Sequence, residues 1–216
     1  MKNSLYIYPE NYLESFRIGC VVKIGLQKFT FEDLADIYPI VNQLLEVKNL
    51  SKYTSFLHVA IRELVQNAIK ATQKRIFFLQ NGLNIINDYA EGIEKYKKAI
   101  DNEETKTIEL NDYSKFTAEI LFGVRNNFFV MVVKNFGQMT NQEAKSVEHM
   151  IERGKINSQI SDLLGDEVRQ REGGGLGLSM IIVLMKNLNI PINNLFFTLK
   201  GGHTHFCLKV PLIEEN

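Results

Sequence analysis

An α+β fold, with helices packed on one face of a mixed but mainly antiparallel sheet, is predicted by three features of this chain. Several segments carry apolar residues at the 3.6-residue spacing of a helix. Two pairs of alternating segments fold back on turn-forming dipeptides, as hairpins do. No internal repeat or low-complexity stretch interrupts them, so helices and strands should share one core in two layers.

Taken in order, Gly19 to Leu26 reads as a strand through the β-branched Val21, Val22 and Ile24. Phe31 to Val47 places Leu34, Ile37, Val41, Leu44 and Leu45 on one helical face. A second helix is expected from about Lys52 to Gln73, followed by a short strand at Arg75–Leu79. The polar stretch from Gln80 to Lys115 is longer than connections in compact domains tend to be, and a charged helix is expected within it, from Ala90 to Asp101. Thr117–Val124 and Phe128–Lys134 form a hairpin around Arg125-Asn126-Asn127, because asparagine tolerates turn geometry. Thr140 to Arg171 is charged and mostly helical in pattern. Leu176 to Leu188 is apolar on nearly every side and reads as a buried helix. Asn194–Lys200 and His203–Leu212 flank Gly201-Gly202 as a closing hairpin, with Thr204, Phe206, Leu208 and Val210 on one face.

Bulk composition narrows the function classes. At 216 residues, with 45% hydrophobic and 23% charged residues, the chain suits one soluble globular domain with an extension. Lys+Arg and Asp+Glu balance at 25 each, which argues against a nucleic-acid partner drawn by a global basic field. The N-terminal MKNSLYIYPEN lacks the basic and apolar regions of a secretion signal. The most apolar run, Leu176 to Met185, is too short to span a bilayer. Cys20 and Cys207 form no metal spacing and are expected to be reduced structural thiols. A cytoplasmic protein without membrane insertion is expected.

Four short segments carry the chemistry: RELVQNAIKA (Arg62 to Ala71), VKNFG (Val133 to Gly137), EGGGLGL (Glu172 to Leu178) and GGHTHF (Gly201 to Phe206). In the first, Ile61, Leu64, Val65, Ala68 and Ile69 make an apolar stripe, while Glu63, Asn67 and Lys70 lie one above another on a different face. Asparagine is disfavoured inside helices because its amide competes for backbone hydrogen bonds, so Asn67 among strong helix formers asks for a reason. A solvated helix face would also accommodate these three residues. In the third segment, glycines let backbone N–H groups approach an anion at a helix start. A flexible hinge would use the same residues. Arg169 and Arg171, just before it, would add charge at phosphates or else stand in solvent.

In this order the segments resemble the nucleotide-binding boxes of the GHKL superfamily, which includes sensor histidine kinases, anti-sigma-factor serine kinases, gyrase and MutL. The resemblance spans roughly His58 to Leu212 and implies a Bergerat-type two-layer α/β sandwich that binds ATP with Mg²⁺. Under it, residues 1–50 are a strand-and-helix lead-in, residues 51–216 are the ATP-binding domain, about 80–115 is an extension, and about 138–172 stands where the family has its lid. Asn67 would offer its amide oxygen to Mg²⁺, in keeping with the oxygen ligands Mg²⁺ prefers. Glu63 would act on or orient the attacking group, and Lys70 would lie near the phosphates. Gly173, Gly175, Leu176, Gly177 and Leu178 would form the phosphate loop and the start of its helix. Gly137 and Thr204 would help to hold the base.

One box departs from the family pattern Asp-x-Gly-x-Gly: Asn135 replaces the Asp, Gly137 is kept, and Met139 replaces the second glycine. An Asn oxygen still accepts a hydrogen bond from adenine, but without charge, weakening adenine binding by about 1–2 kcal/mol. A flipped amide would instead donate to O6 of guanine, which predicts relaxed base selectivity or lost binding.

The absences also bear on the expected function. Only His58 precedes the boxes, and its surroundings do not resemble a phosphoacceptor, so autophosphorylation in cis is not expected. His203 and His205 share a strand face without an evident third metal ligand. The resemblance is nearest to the free-standing signalling kinases: an ATP-dependent histidine-kinase-like or serine-kinase-like transferase that phosphorylates or regulates a partner protein. The other expectation is an inactive, pseudokinase-like regulator that works by protein binding. A DNA-handling ATPase is disfavoured by the neutral charge.

Overall fold

The computed structural model describes residues 5–26, 31–101, 118–164 and 176–212. Its centre is one six-stranded sheet, in the order β1-β2-β3-β4-β6-β5, with every neighbouring pair antiparallel. The strands are β1 (Leu5–Tyr8), β2 (Val22–Leu26), β3 (Ala118–Arg125), β4 (Phe128–Phe136), β5 (Leu195–Lys200) and β6 (His203–Pro211). The helices are α1 (Tyr12–Arg17), α2 (Phe31–Glu46), α3 (Thr54–Gln80), α4 (Tyr89–Asp101), α5 (Asn141–Ile156) and α6 (Leu176–Asn187). The expected two-layer α+β architecture holds, and among the described strands the sheet is wholly antiparallel. Residues 102–117 and 165–175 lie outside the described residues, so Gly173 and Gly175, Arg169 and Arg171, and part of the expected extension and lid lie there too.

Alternation decides which side of the sheet is covered. Val22, Ile24 and Leu26 of β2, Ile120 and Phe122 of β3, Phe129, Met131 and Val133 of β4, and Leu208 and Val210 of β6 are buried against the helices. Residues of α2, α3 and α6 complete the same hydrophobic cluster, including Ile37, Leu44, Leu57, Ile61, Leu64, Ile181 and Ile182. Phe16 and the β2 residues share that cluster, so the N-terminal elements and the residues after position 51 pack on one core. The opposite face carries charge instead: Glu119 pairs with Lys23 at 2.7 Å and Lys134 at 2.6 Å.

Both hairpins turn where expected. Asn126 and Asn127 have φ of 49° and 61°, and Gly201 and Gly202 have φ of 58° and 77°. Two positive φ values in succession match the twist of antiparallel strands.

The expected strand at Arg75–Leu79 is not formed; α3 continues through it to Gln80. The aromatic and β-branched residues there suit a strand locally, but tertiary packing wins. Phe77 meets Tyr96 of α4 at 5.4 Å between ring centroids, Phe78 meets Tyr89 at 6.5 Å, and a Cβ at Gly92 would collide with the Phe78 ring. The expected charged helix is α4, and it packs on this extra length of α3. β1 and α1 carried no periodicity long enough to be read from sequence, and each is short.

Candidate functional site

The first of the segments singled out for nucleotide chemistry lies on α3. Glu63 and Asn67 are one turn apart, and Lys70 follows on the same side. Asn67 and Lys70 are exposed, whereas Glu63 is partly covered. The Glu63 Oε1 accepts from Nε and Nη2 of Arg62, both at 2.9 Å. A Cβ at Gly177 would collide with Glu63 Oε2 and crowd the rest of that side chain, so α6 begins close against α3. The first and third segments are therefore in contact. Leu176 is half-buried, while Leu178 is 2% exposed and belongs to the hydrophobic core, so only its backbone can face a ligand.

Nine to twelve residues further along α3, the second segment meets it, and the fourth lies beside the second across the sheet. Asn135 on β4 and Thr204 on β6 are direct partners across the sheet. Both are almost fully buried, at 4% and 1% exposure. The Asn135 Nδ2 donates to the carbonyls of Phe136 at 3.0 Å and Gly137 at 3.4 Å, and the Thr204 hydroxyl donates to the Gly137 carbonyl at 3.1 Å. Gly137 has φ of 80°, which an L side chain rarely adopts. From α3, the Thr72 hydroxyl oxygen accepts from the Phe136 N–H at 3.2 Å.

Sequence reasoning missed the residues that secure this turn. The Arg75 guanidinium is 5% exposed and lies directly over Gly137, where a Cβ would collide with its side chain. It donates to the Gln138 carbonyl through Nε at 3.2 Å and Nη2 at 2.6 Å, to the Ala71 carbonyl through Nη1 at 2.9 Å, and to Glu143 Oε2 at 2.6 Å. Lys74 also pairs with Glu143. Read as the start of a strand, Arg75 pointed nowhere in particular. Continuing the helix would have placed it two turns beyond Asn67.

Glu143 also caps α5. Its carboxylate accepts from the Thr140 N–H at 2.8 Å while its own N–H donates to the Thr140 hydroxyl at 3.2 Å, a reciprocal capping box. Burial works against its ionisation, but Lys74, Arg75 and the Thr140 N–H outweigh that and hold its carboxyl below the usual carboxylate range. Burial likewise lowers the Lys74 ammonium, against the opposing pull of Glu143.

Of the expected lid, the part formed by α5 is fastened along its length. The Ser179 hydroxyl of α6 donates to the Met150 carbonyl at 2.7 Å, and a Cβ at Gly154 would strike Ile182 and the Ser179 carbonyl. The Lys186 ammonium donates to the carbonyls of Lys155 at 2.8 Å and Asn157 at 2.7 Å. α5 is thus packed against α6 along its length.

The remaining candidates fall elsewhere. His203 and His205 lie on the opposite face of the sheet from Thr204, and no cluster of three metal-ligating residues occurs among the described residues. His58 stacks on Tyr38 at 4.0 Å and lies 2.8 Å from Asn42 Oδ1, as a packed helix residue. Cys20 and Cys207 are free thiols. No described helix is long and apolar enough to cross a membrane.

A protein of Treponema pallidum (strain Nichols), described only as uncharacterized, is 27% identical over 171 residues, which cover 77% of this chain and 33% of that protein. The chain thus spans about a third of the length of this relative. No family model and no solved structure matches the chain.

Proposed function

We propose that this chain is a GHKL-type nucleotide-binding protein that takes ATP with Mg²⁺ and phosphorylates or regulates a partner protein in signalling. The observation that carries the reading is the arrangement of the segments about α3, with the fourth paired to the second across the sheet. Glu63 touches the glycine box at one end, and Thr72 and Arg75 touch the base box at the other. Nine to twelve helical residues span about 14–18 Å, long enough to lay a purine, a sugar and a phosphate chain along the helix.

The donor set suits such a ligand. Asn67 is an exposed amide available to a hard cation, and Lys70 beside it is an exposed cation available to phosphate. Asn135 and Thr204 form a buried polar floor for a base. MgATP, when bound, supplies the transferable phosphoryl group. Asn67 and Lys70 would orient and neutralise the phosphates, and Glu63, steadied by Arg62, would orient an acceptor hydroxyl or imidazole from the partner. Catalysis of this kind rests on positioning and charge neutralisation.

A second reading, an inactive regulator that works by protein binding, is favoured by the base box. The Asn135 amide and the Thr204 hydroxyl already bond to backbone, and Met139, in place of a glycine, packs against the core.

Calorimetric titration with a non-hydrolysable ATP analogue, with and without Mg²⁺, separates the two. The first reading expects saturable binding that needs Mg²⁺. Absence of binding at millimolar ligand removes it in favour of the second.

A further inference from the structure

Resting on the nucleotide reading, the geometry points to Arg75 as a positioning residue that makes the base end selective for a 6-amino purine over a 6-oxo purine. The turn from Asn135 to Gln138 is gripped from two directions. Arg75 forks onto the Gln138 carbonyl with two N–H groups, and its remaining bonds, to Ala71 and Glu143, fix the guanidinium between α3 and the capped start of α5. Thr72 takes the Phe136 N–H from the same helix. With these atoms held, the carbonyls of Phe136 and Gly137 both face the Asn135 side chain.

That placement settles which way the Asn135 amide turns. Its Nδ2 lies 3.0 Å and 3.4 Å from two carbonyl oxygens. Reversing the amide would set Oδ1 against both oxygens and leave Nδ2 without them. The Thr204 hydroxyl donates to the same Gly137 carbonyl, which keeps that oxygen in place. With Nδ2 engaged, Oδ1, an acceptor, is the atom of the Asn135 amide that would meet a base. An acceptor here matches the exocyclic amine of adenine and opposes the O6 of guanine. The charge lost with the family's Asp is replaced by a fixed orientation, and Arg75 is the residue that fixes it.

The test titrates the full chain and two variants, Arg75→Lys and Arg75→Met, with three probes: a non-hydrolysable ATP analogue, the matching GTP analogue and inorganic tripolyphosphate, all with Mg²⁺. Thermal unfolding of each variant accompanies the titrations. The parent is expected to bind the ATP analogue at least tenfold more tightly than the GTP analogue. Arg75→Lys keeps the charge but cannot fork. It should lose about tenfold in ATP affinity and most of the ATP-over-GTP ratio, with tripolyphosphate binding unchanged within twofold. A merely structural role would weaken all three probes together. The proposal is overturned if a folded Arg75 variant keeps the parent ratio, or if neither variant folds, because Arg75 is then framework. A parent that binds tripolyphosphate but does not prefer ATP overturns this inference alone. A parent that binds none of the three overturns the nucleotide reading with it.

Discussion

The two ends of α3 are built in opposite ways. Around Gly137, side chains from α3, β4 and β6 converge on a four-residue turn and bond to its backbone, and Glu143 of α5 holds Arg75 from behind. Around Asn67, the polar side chains stand exposed, and among the described residues only Glu63 is tied, to the adjacent Arg62. The Gly137 end is tied by hydrogen bonds made on folding, whereas the Asn67 end keeps its amide and the Lys70 ammonium in solvent. Under the proposed nucleotide reading, the rigid end would read the shape of a base and the exposed end would meet the charge of the phosphates.

The contrast can be broken by substitution, beginning with the largest effect. Gly137→Ala would meet both the positive φ and the Arg75 side chain, and is expected to destabilise by about 3 kcal/mol in denaturant unfolding. A loss below about 1 kcal/mol would show that the turn is slack and the two ends are alike. Glu143→Gln removes the shared anion of Lys74 and Arg75 and should cost about 2–3 kcal/mol.

The pH dependence follows from the same group. The folded carboxyl titrates below its unfolded value, so its contribution is full at neutral pH and is lost as the pH falls through the ordinary carboxylate range near 4 and below. Glu143→Gln should therefore flatten the acid limb of the stability profile; an unchanged limb would place acid sensitivity elsewhere.

Asn135→Asp introduces the Asp of the GHKL pattern but removes the donor to two carbonyls and presents oxygen in its place. We expect a loss of about 1–2 kcal/mol of stability and no gain in ATP-analogue affinity. A tenfold gain in affinity would mean that the turn reshapes around the ligand.

At the other end, Asn67→Ala should change stability by less than about 0.5 kcal/mol, because the side chain is exposed. The same variant should abolish Mg²⁺-dependent nucleotide binding. Binding as tight as the parent's would remove the metal role assigned to Asn67.

Much of this was legible in the residues themselves. Alternation in β4 and β6, the helical stripes of α2 and α3, and the Asn-Asn and Gly-Gly turns are local signals. Burial of one face obliges each of them to be what it is. The stripe Glu63–Asn67–Lys70 and the place of Gly177 were likewise readable as candidates, because helical spacing alone puts side chains together on one face.

What the sequence could not convey depends on partners distant in the chain. The segment Arg75–Leu79 has the local character of a strand and becomes helix only because α4 offers Tyr89, Gly92 and Tyr96 to its phenylalanines. Arg75 acquires its role only when that helix brings it over Gly137, 62 residues away in the chain, and when Glu143 supplies its anion. Asn135, similarly, is an ambiguous amide in sequence, and neighbouring carbonyls decide which way it turns. Propensity and periodicity are properties of neighbours along the chain. The orientation of a buried amide and the seat of a buried guanidinium are fixed by hydrogen bonds that only the folded chain brings within reach.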